Sequence, residues 1–190
     1  MRYDKDHKAR TRERILEVAA DAFRGHGIAA TGIARLMGEA GLTTGGFYAH
    51  FASKDDLVAE SITRAFDQTR ATLVRSADDD LERVVRRYLH PLHVQHPDKG
   101  CPAASLGGEA LHQGPVVRAA LQQGLAALEA EIARRLPVTL DDDVRAHRAT
   151  MIFALMIGCL QRARAADTAA ATRILQDGVD AALRIANAAN

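Results

Sequence analysis

Tyr48, His50 and Lys54 place a phenol, an imidazole and an ammonium close together, just after the hydroxyls of Thr43 and Thr44 and the paired glycines Gly45-Gly46. All of these side chains donate hydrogen bonds, and two adjacent glycines let a backbone approach a ligand closely. The chemistry on offer is capture of an anion such as a phosphate oxygen, helped if a helix begins there. The plainer alternatives are a core tyrosine, a surface histidine and a relaxed turn. A second cluster lies further on, where His90, His93 and His96 precede Cys101, itself between Gly100 and Pro102 and beside Lys99. A nearby cation and a following helix N-terminus lower a thiol pKa, which makes Cys101 a candidate reactive thiolate. The alternative is a small buried hydrophobe in a turn. Offsets of three and six residues do not align the histidines on one helical face, and Pro91 disturbs the helix, so no metal is expected. The chain has no nucleotide-binding glycine loop and no nucleophile motif, so it is not expected to be an enzyme or to need a cofactor.

The elements that must position the first cluster follow from apolar spacing. Ile33, Leu36, Met37 and Ala40 recur at helical intervals after Thr31, a candidate cap. Gly41 ends that helix, Leu42 plugs the corner, and Thr43 caps a second short helix whose Phe47 and Phe51 face inward. This is the sequence form of a helix-turn-helix, whose second helix enters the DNA major groove. A preceding helix is expected from about Arg10 to Arg24, with residues 1–9 frayed. A fourth starts after Ser53, with Asp56 three residues on, and runs to about Ser76. Beyond it the pattern is a helical bundle. Asp78-Asp79-Asp80 opens a fifth helix, kinked at Pro91 and ended at His96-Pro97. A short sixth covers 103–112, a seventh runs from Gly114-Pro115 to near Leu136, an eighth covers 142–165, and a ninth follows Asp167-Thr168.

Composition agrees with an all-α chain. Aromatics make up 4% of the 190 residues and Trp is absent, while Ala, Leu, Arg and Glu dominate. The two cysteines, Cys101 and Cys159, cannot form a disulfide framework. The charged N-terminus is unlike a signal peptide, and Met151–Leu160 is too short to span a bilayer, so a cytoplasmic protein with no membrane partner is expected. Net charge is +1, unevenly spread: residues 1–54 carry nine Lys/Arg against six Asp/Glu, and the remainder sixteen against eighteen. The basic excess sits where a phosphate backbone would lie.

At this point the residues carry a resemblance. TRERILEVAADAF and GHGIAATGIARLMGEAGLTTGGFYAHFASKDDLV, between Thr11 and Ile62, resemble the DNA-binding domain of the TetR family of bacterial regulators. The G-x-x-x-T entry, the A-G-L-T turn and the F-Y-x-H-F-x-S-K-x-x-L exit carry the likeness. The resemblance implies a three-helix DNA-binding domain with a helix-turn-helix in residues 1–52. A C-terminal ligand-binding and dimerisation bundle would occupy 53–190, with about nine helices in all. It implies a homodimer on a palindromic double-stranded operator, released by a small-molecule effector. Tyr48, His50, Lys54 and Thr31 would contact phosphates, with Thr43, Thr44, Gly45 and Gly46 at the front of the reading helix. Thr44 would reach a base edge, and Arg35 a base, a phosphate or only solvent. Many relatives carry long basic residues where this chain has Ala34, Thr44 and Ala49, so shape readout takes a larger share. The H-P-D-K-G-C-P segment is similar to a subset of the family.

In the second half, Phe66, Tyr88, Leu92, Cys101, Leu106 and Leu125 are the candidate lining of an apolar effector pocket, with simple core packing as the alternative. Met151, Leu155 and Gly158 of the eighth helix and Leu175, Val179 and Leu183 of the ninth are the candidate dimer interface, with an intramolecular helix pair as the alternative. The expected function is a ligand-responsive transcriptional repressor. The alternatives are a thiol-based redox or electrophile sensor acting through Cys101, a small all-helical enzyme, and a DNA-binding protein without a sensor.

Overall fold

Helix α1 spans Arg2–His26, and so begins eight residues before the expected Arg10. No Gly or Pro interrupts Arg2 to Arg24, and each further residue on a packed helix gains a backbone bond without a new nucleation cost. The computed structural model describes residues 2–188; Met1, Ala189 and Asn190 lie outside the described residues. Within them the chain is all-α, with nine α-helices, intervening 3-10 turns and no strand.

The next elements build the head. Helix α2 covers Ile33–Glu39, and a 3-10 turn over Thr44–Ala49 stands where a second short α-helix was expected. Gly45-Gly46 explains the change, because two residues of low helix propensity in so short a segment favour the tighter winding. Thr31 does not cap α2. The N-cap is Gly32, while Thr31 is fully buried and its hydroxyl donates to the Gly27 carbonyl at 2.7 Å. Helix α3, Lys54–Leu73, starts as expected, with Ser53 Oγ accepting from the Asp56 N–H at 3.1 Å.

Pro91 splits the expected fifth helix rather than kinking it. Helix α4 is Leu81–Tyr88 and α5 is Pro91–Gln95, with His90 as the N-cap of α5 and Pro91 in its first turn. A proline has no N–H to give and fixes a helical φ, so it restarts a helix more readily than it continues one. The expected sixth helix is likewise two pieces, α6 over Pro102–Leu106 and a 3-10 turn over Gly107–His112. Helices α7 (Pro115–Ala133), α8 (Asp142–Arg164) and α9 (Thr168–Asn187) complete the bundle. Asp167 caps α9 by accepting from the Ala170 N–H at 2.8 Å.

One continuous apolar core joins the head to the bundle. Helix α3 lies at its centre, packed on α1 on one side and on α7 on the other, and α8 packs on both α7 and α9. Two glycines set the close approaches. A Cβ at Gly124 of α7 would overlap the Phe66 ring of α3, and one at Gly178 of α9 would fall 2.8 Å from Cys159 Sγ of α8. No helix is long and apolar enough to cross a membrane, among the residues described.

Candidate nucleic-acid interface

The turn between α2 and the reading segment is a fixed corner. Gly41 takes φ of +68°, its N–H donates to Gly38 O at 2.9 Å, and the Leu42 N–H donates to Met37 O at 2.8 Å. These two bonds form a Schellman motif, and Leu42 supplies its apolar contact by packing on the core. Phe47 and Phe51 then anchor the reading segment from beneath. Both are buried, with ring centroids 5.7 Å apart. The Tyr48 ring meets the edge of Phe47 at 5.1 Å but remains 73% exposed, so its hydroxyl is presented outward on a rigid base. Thr43, Thr44 and Gly45 are exposed beside it, and Gly46 is half-buried.

The other expected contacts are placed differently. Lys54 is half-buried, and its ammonium donates to the Ile28 carbonyl at 3.0 Å, tying the α1–α2 turn to the start of α3. Arg35 pairs with Glu39 one turn on at 2.7 Å, and its other arm faces His26 Nε2 at 3.3 Å. It must leave Glu39 to reach DNA. Thr31, buried and bonded, shapes the corner and has no exposed hydroxyl to offer a phosphate. His50 is half-buried, with Nδ1 buried and unpartnered. Burial lowers its pKa, and so do the charges of Lys8 and Arg12 on α1. Those two cations next to His50 lie on the first helix, which was not read from the sequence as part of the interface. Lys8 is exposed, whereas Arg12 stacks over the Phe51 ring at 4.7 Å and donates to Glu60 at 2.6 Å. The helix-turn-helix, exposed Tyr48 and threonine front, and a flanking cation form a surface suited to a phosphate backbone.

Residues 15–61 match the family of bacterial regulatory proteins described as tetR. The N-terminal domain belongs to the TetR family. Two curated relatives from Pseudomonas putida are each 33% identical over 82 residues: the HTH-type transcriptional regulator TtgR and the probable HTH-type transcriptional regulator ArpR. Each match takes in 43% of this chain and 39% of the relative, so this chain spans about two-fifths of the length of the proteins it matches. The fold likeness runs further. A TetR-family regulator from Cytophaga hutchinsonii superposes with a TM-score of 0.77 at 19% identity, over 93% of this chain and 95% of that one. The reduced form of E. coli NemR gives 0.73 at 20% identity, over 90% and 94%. The whole chain therefore has the fold of TetR-family regulators, with a family-type head.

Below the head, the candidate effector residues separate into two groups. Leu92 and Cys101 line a cleft of about 490 Å³ between the end of α3, α4, α5 and the loop that follows. Phe66, Tyr88 and Leu106 are core residues, and Leu125 is half-buried against that core. Cys101 is fully buried, and burial raises its pKa, which reverses the lowering expected from Lys99. Lys99 instead pairs with Asp21 of α1. The three histidines do not converge. His93 Nδ1 donates to the Tyr88 carbonyl at 2.8 Å and Nε2 accepts the Cys101 N–H at 2.8 Å, while His90 Nδ1 accepts from the Leu92 N–H. Burial lowers the His93 pKa to about 4, so the ring is neutral.

The segment after α5 grips the head through two ties that sequence reasoning missed. Buried Arg24 of α1 donates to Gly100 O at 3.1 Å, to Asp21 at 2.8 Å and to Gln68 of α3 at 3.0 Å. The Glu109 carboxylate accepts from the N–H groups of Ile28 and Ala29, at 3.1 and 3.2 Å. Both ties join residues more than seventy positions apart, a separation at which local periodicity carries no signal.

On the far side, Met151 is 42% exposed, Gly158 opens onto empty space, and Leu155 and Leu183 are half-buried. Leu175 and Val179 are buried within the protomer and so do not present an outer face, because α9 turns them toward α4 and α8.

Proposed function

We propose that this chain is a ligand-responsive transcriptional repressor that binds a palindromic operator as a homodimer. The observation that carries the reading is the exposed front of Thr43, Thr44, Gly45 and Tyr48, held by the Gly41 corner and the Phe47–Phe51 anchor. Tyr48, Thr43 and the backbone of Gly45-Gly46 contact phosphate, with His50 and Lys8 flanking them. Thr44 meets a base edge. Lys54 acts by fixing the α1–α2 turn unless it exchanges Ile28 O for a phosphate. The dimer forms through the outer face of α8 and α9 around Met151, Leu155 and Gly158, where small residues permit close helix approach. Release follows when an effector in the cleft moves the 97–101 segment, which holds α1 through Arg24.

Selection of bound duplexes from a random pool by the full chain, followed by fluorescence anisotropy, tests this. A two-fold symmetric site is expected. Tyr48→Phe weakens binding equally across sites, whereas Thr44→Ala changes their ranking. Recovery of no symmetric site, or equal binding by wild type and Tyr48→Phe, overturns the assignment.

A further inference from the structure

The lining of the 490 Å³ cleft is one-sided in charge. None of its twelve residues is acidic, while Arg75, Arg87, Lys99 and three histidines are among them. Two of these cations are already matched. Arg87 is paired with Asp79, whose carboxyl it holds well below the usual carboxylate range, and Lys99 sits on Asp21. Arg75 is different. Its backbone N–H donates to Asp79, but its guanidinium makes no ion pair or hydrogen bond among the described residues. It also borders a neighbouring depression, where the Glu131 carboxylate is taken by Arg70, Arg134 and Arg135. An uncompensated, exposed guanidinium thus shares the lining of one cleft with buried Leu73 and exposed Leu92.

We infer that the effector cleft takes an aliphatic carboxylate, with its anionic head on the Arg75 guanidinium and its chain along Leu73 and Leu92. The inference rests on reading the second half of the chain as the sensor. A planar carboxylate matches the two-pronged donor geometry of a single arginine. The volume lies in the range usual for small-molecule sites. The head group would also approach Lys99 and compete with Asp21 for it. Lys99 and Gly100 belong to the segment that holds α1, so an anion is the ligand whose charge acts on the tie between sensor and head.

Calorimetry on the full chain without DNA, using octanoate, octanamide, octylamine and octyl phosphate as probes, tests the ligand class apart from the operator reading. Octanoate is expected to bind at least about tenfold more tightly than octanamide, the scale of one charged hydrogen bond. Arg75→Gln is expected to remove that preference while leaving octanamide unchanged. Arg75 is exposed, and its folding contact is through the backbone, so the variant keeps the fold. Equal binding of acid and amide, tighter binding of the amine or the phosphate, no binding of octanoate, or an unchanged octanoate affinity in Arg75→Gln would each overturn the inference. If octanoate binds as expected but a selected duplex stays bound at saturation, the ligand class stands and the release mechanism fails.

Discussion

Replacing His93 by Gln should change not only the stability of this protein but the way stability depends on pH. The folded ring titrates near 4, because burial penalises its charged form, whereas an unfolded histidine titrates near 6.5. Between those values the unfolded chain takes up a proton that the folded chain refuses. Stability is therefore unaffected above about pH 6.5, falls as pH drops below it, and stops falling on this account near pH 4. At about 1.36 kcal/mol per pH unit, the loss across the window is about 3 kcal/mol. At neutral pH the wild-type ring makes two hydrogen bonds, to Tyr88 O and from the Cys101 N–H. A glutamine keeps at most one, so the variant starts about 1 kcal/mol less stable. The two stability curves should cross, leaving the variant the more stable by about 2 kcal/mol near pH 4. Urea unfolding followed by circular dichroism, at fixed protein concentration from pH 7.5 down to 4, reads this directly. Asp79, whose carboxyl is held low by Arg87, begins to lose its own contribution as pH falls toward the unfolded carboxylate value of about 3.9, at the acid edge of the window. This loss is common to wild type and variant and leaves their difference unchanged. Parallel curves for wild type and variant would show that His93 is not the buried neutral group described.

Three further outcomes follow from local geometry. Gly124→Ala should cost about 1–3 kcal/mol by overpacking, because its Cβ overlaps the Phe66 ring, and the double variant with Phe66→Leu should recover part of the loss in thermal unfolding. Gly41→Ala meets no neighbour, so its cost of about 1 kcal/mol should come from the positive φ alone, and DNA affinity should fall only as far as the corner frays. Glu109→Gln should weaken the capture of the Ile28 and Ala29 N–H groups, and hydrogen exchange at those amides should speed up by about tenfold with little change in α9.

The sequence made the head legible because its signals are short-range. The Gly41 corner, the Phe47–Phe51 spacing and the Ser53 cap all act within one or two turns, and each stands in the structure where periodicity put it. Thr31 failed as a cap because its hydroxyl finds a partner on Gly27, behind it, and burial then removes it from the front. Lys54 looked like a phosphate donor, yet its ammonium has a carbonyl within the fold. Cys101 is the small buried hydrophobe that the sequence held open beside the reactive thiolate. Neighbouring charge is visible in sequence, whereas the burial that outweighs it comes from distant helices. The cleft was the least legible feature, since Arg75 and Leu73 come to line one cavity with Leu92 only after Pro91 has ended one helix and begun another.

Helix α3 has a consequence for modularity. Its first half completes the head, with Leu57 and Ile62 in the same core as Ile15 and Phe23, and its second half carries Phe66 into Gly124 of the bundle. Arg24 pins the same two bodies from the side through Gln68 and Gly100. A cut at residue 52 therefore takes from the head the helix that closes its core. A head grafted onto another sensor would have to bring α3 with it and find, on the new scaffold, an acceptor for Arg24. Exchange of such a head is therefore expected to succeed at joints beyond α3 and to fail at joints that leave α3 behind.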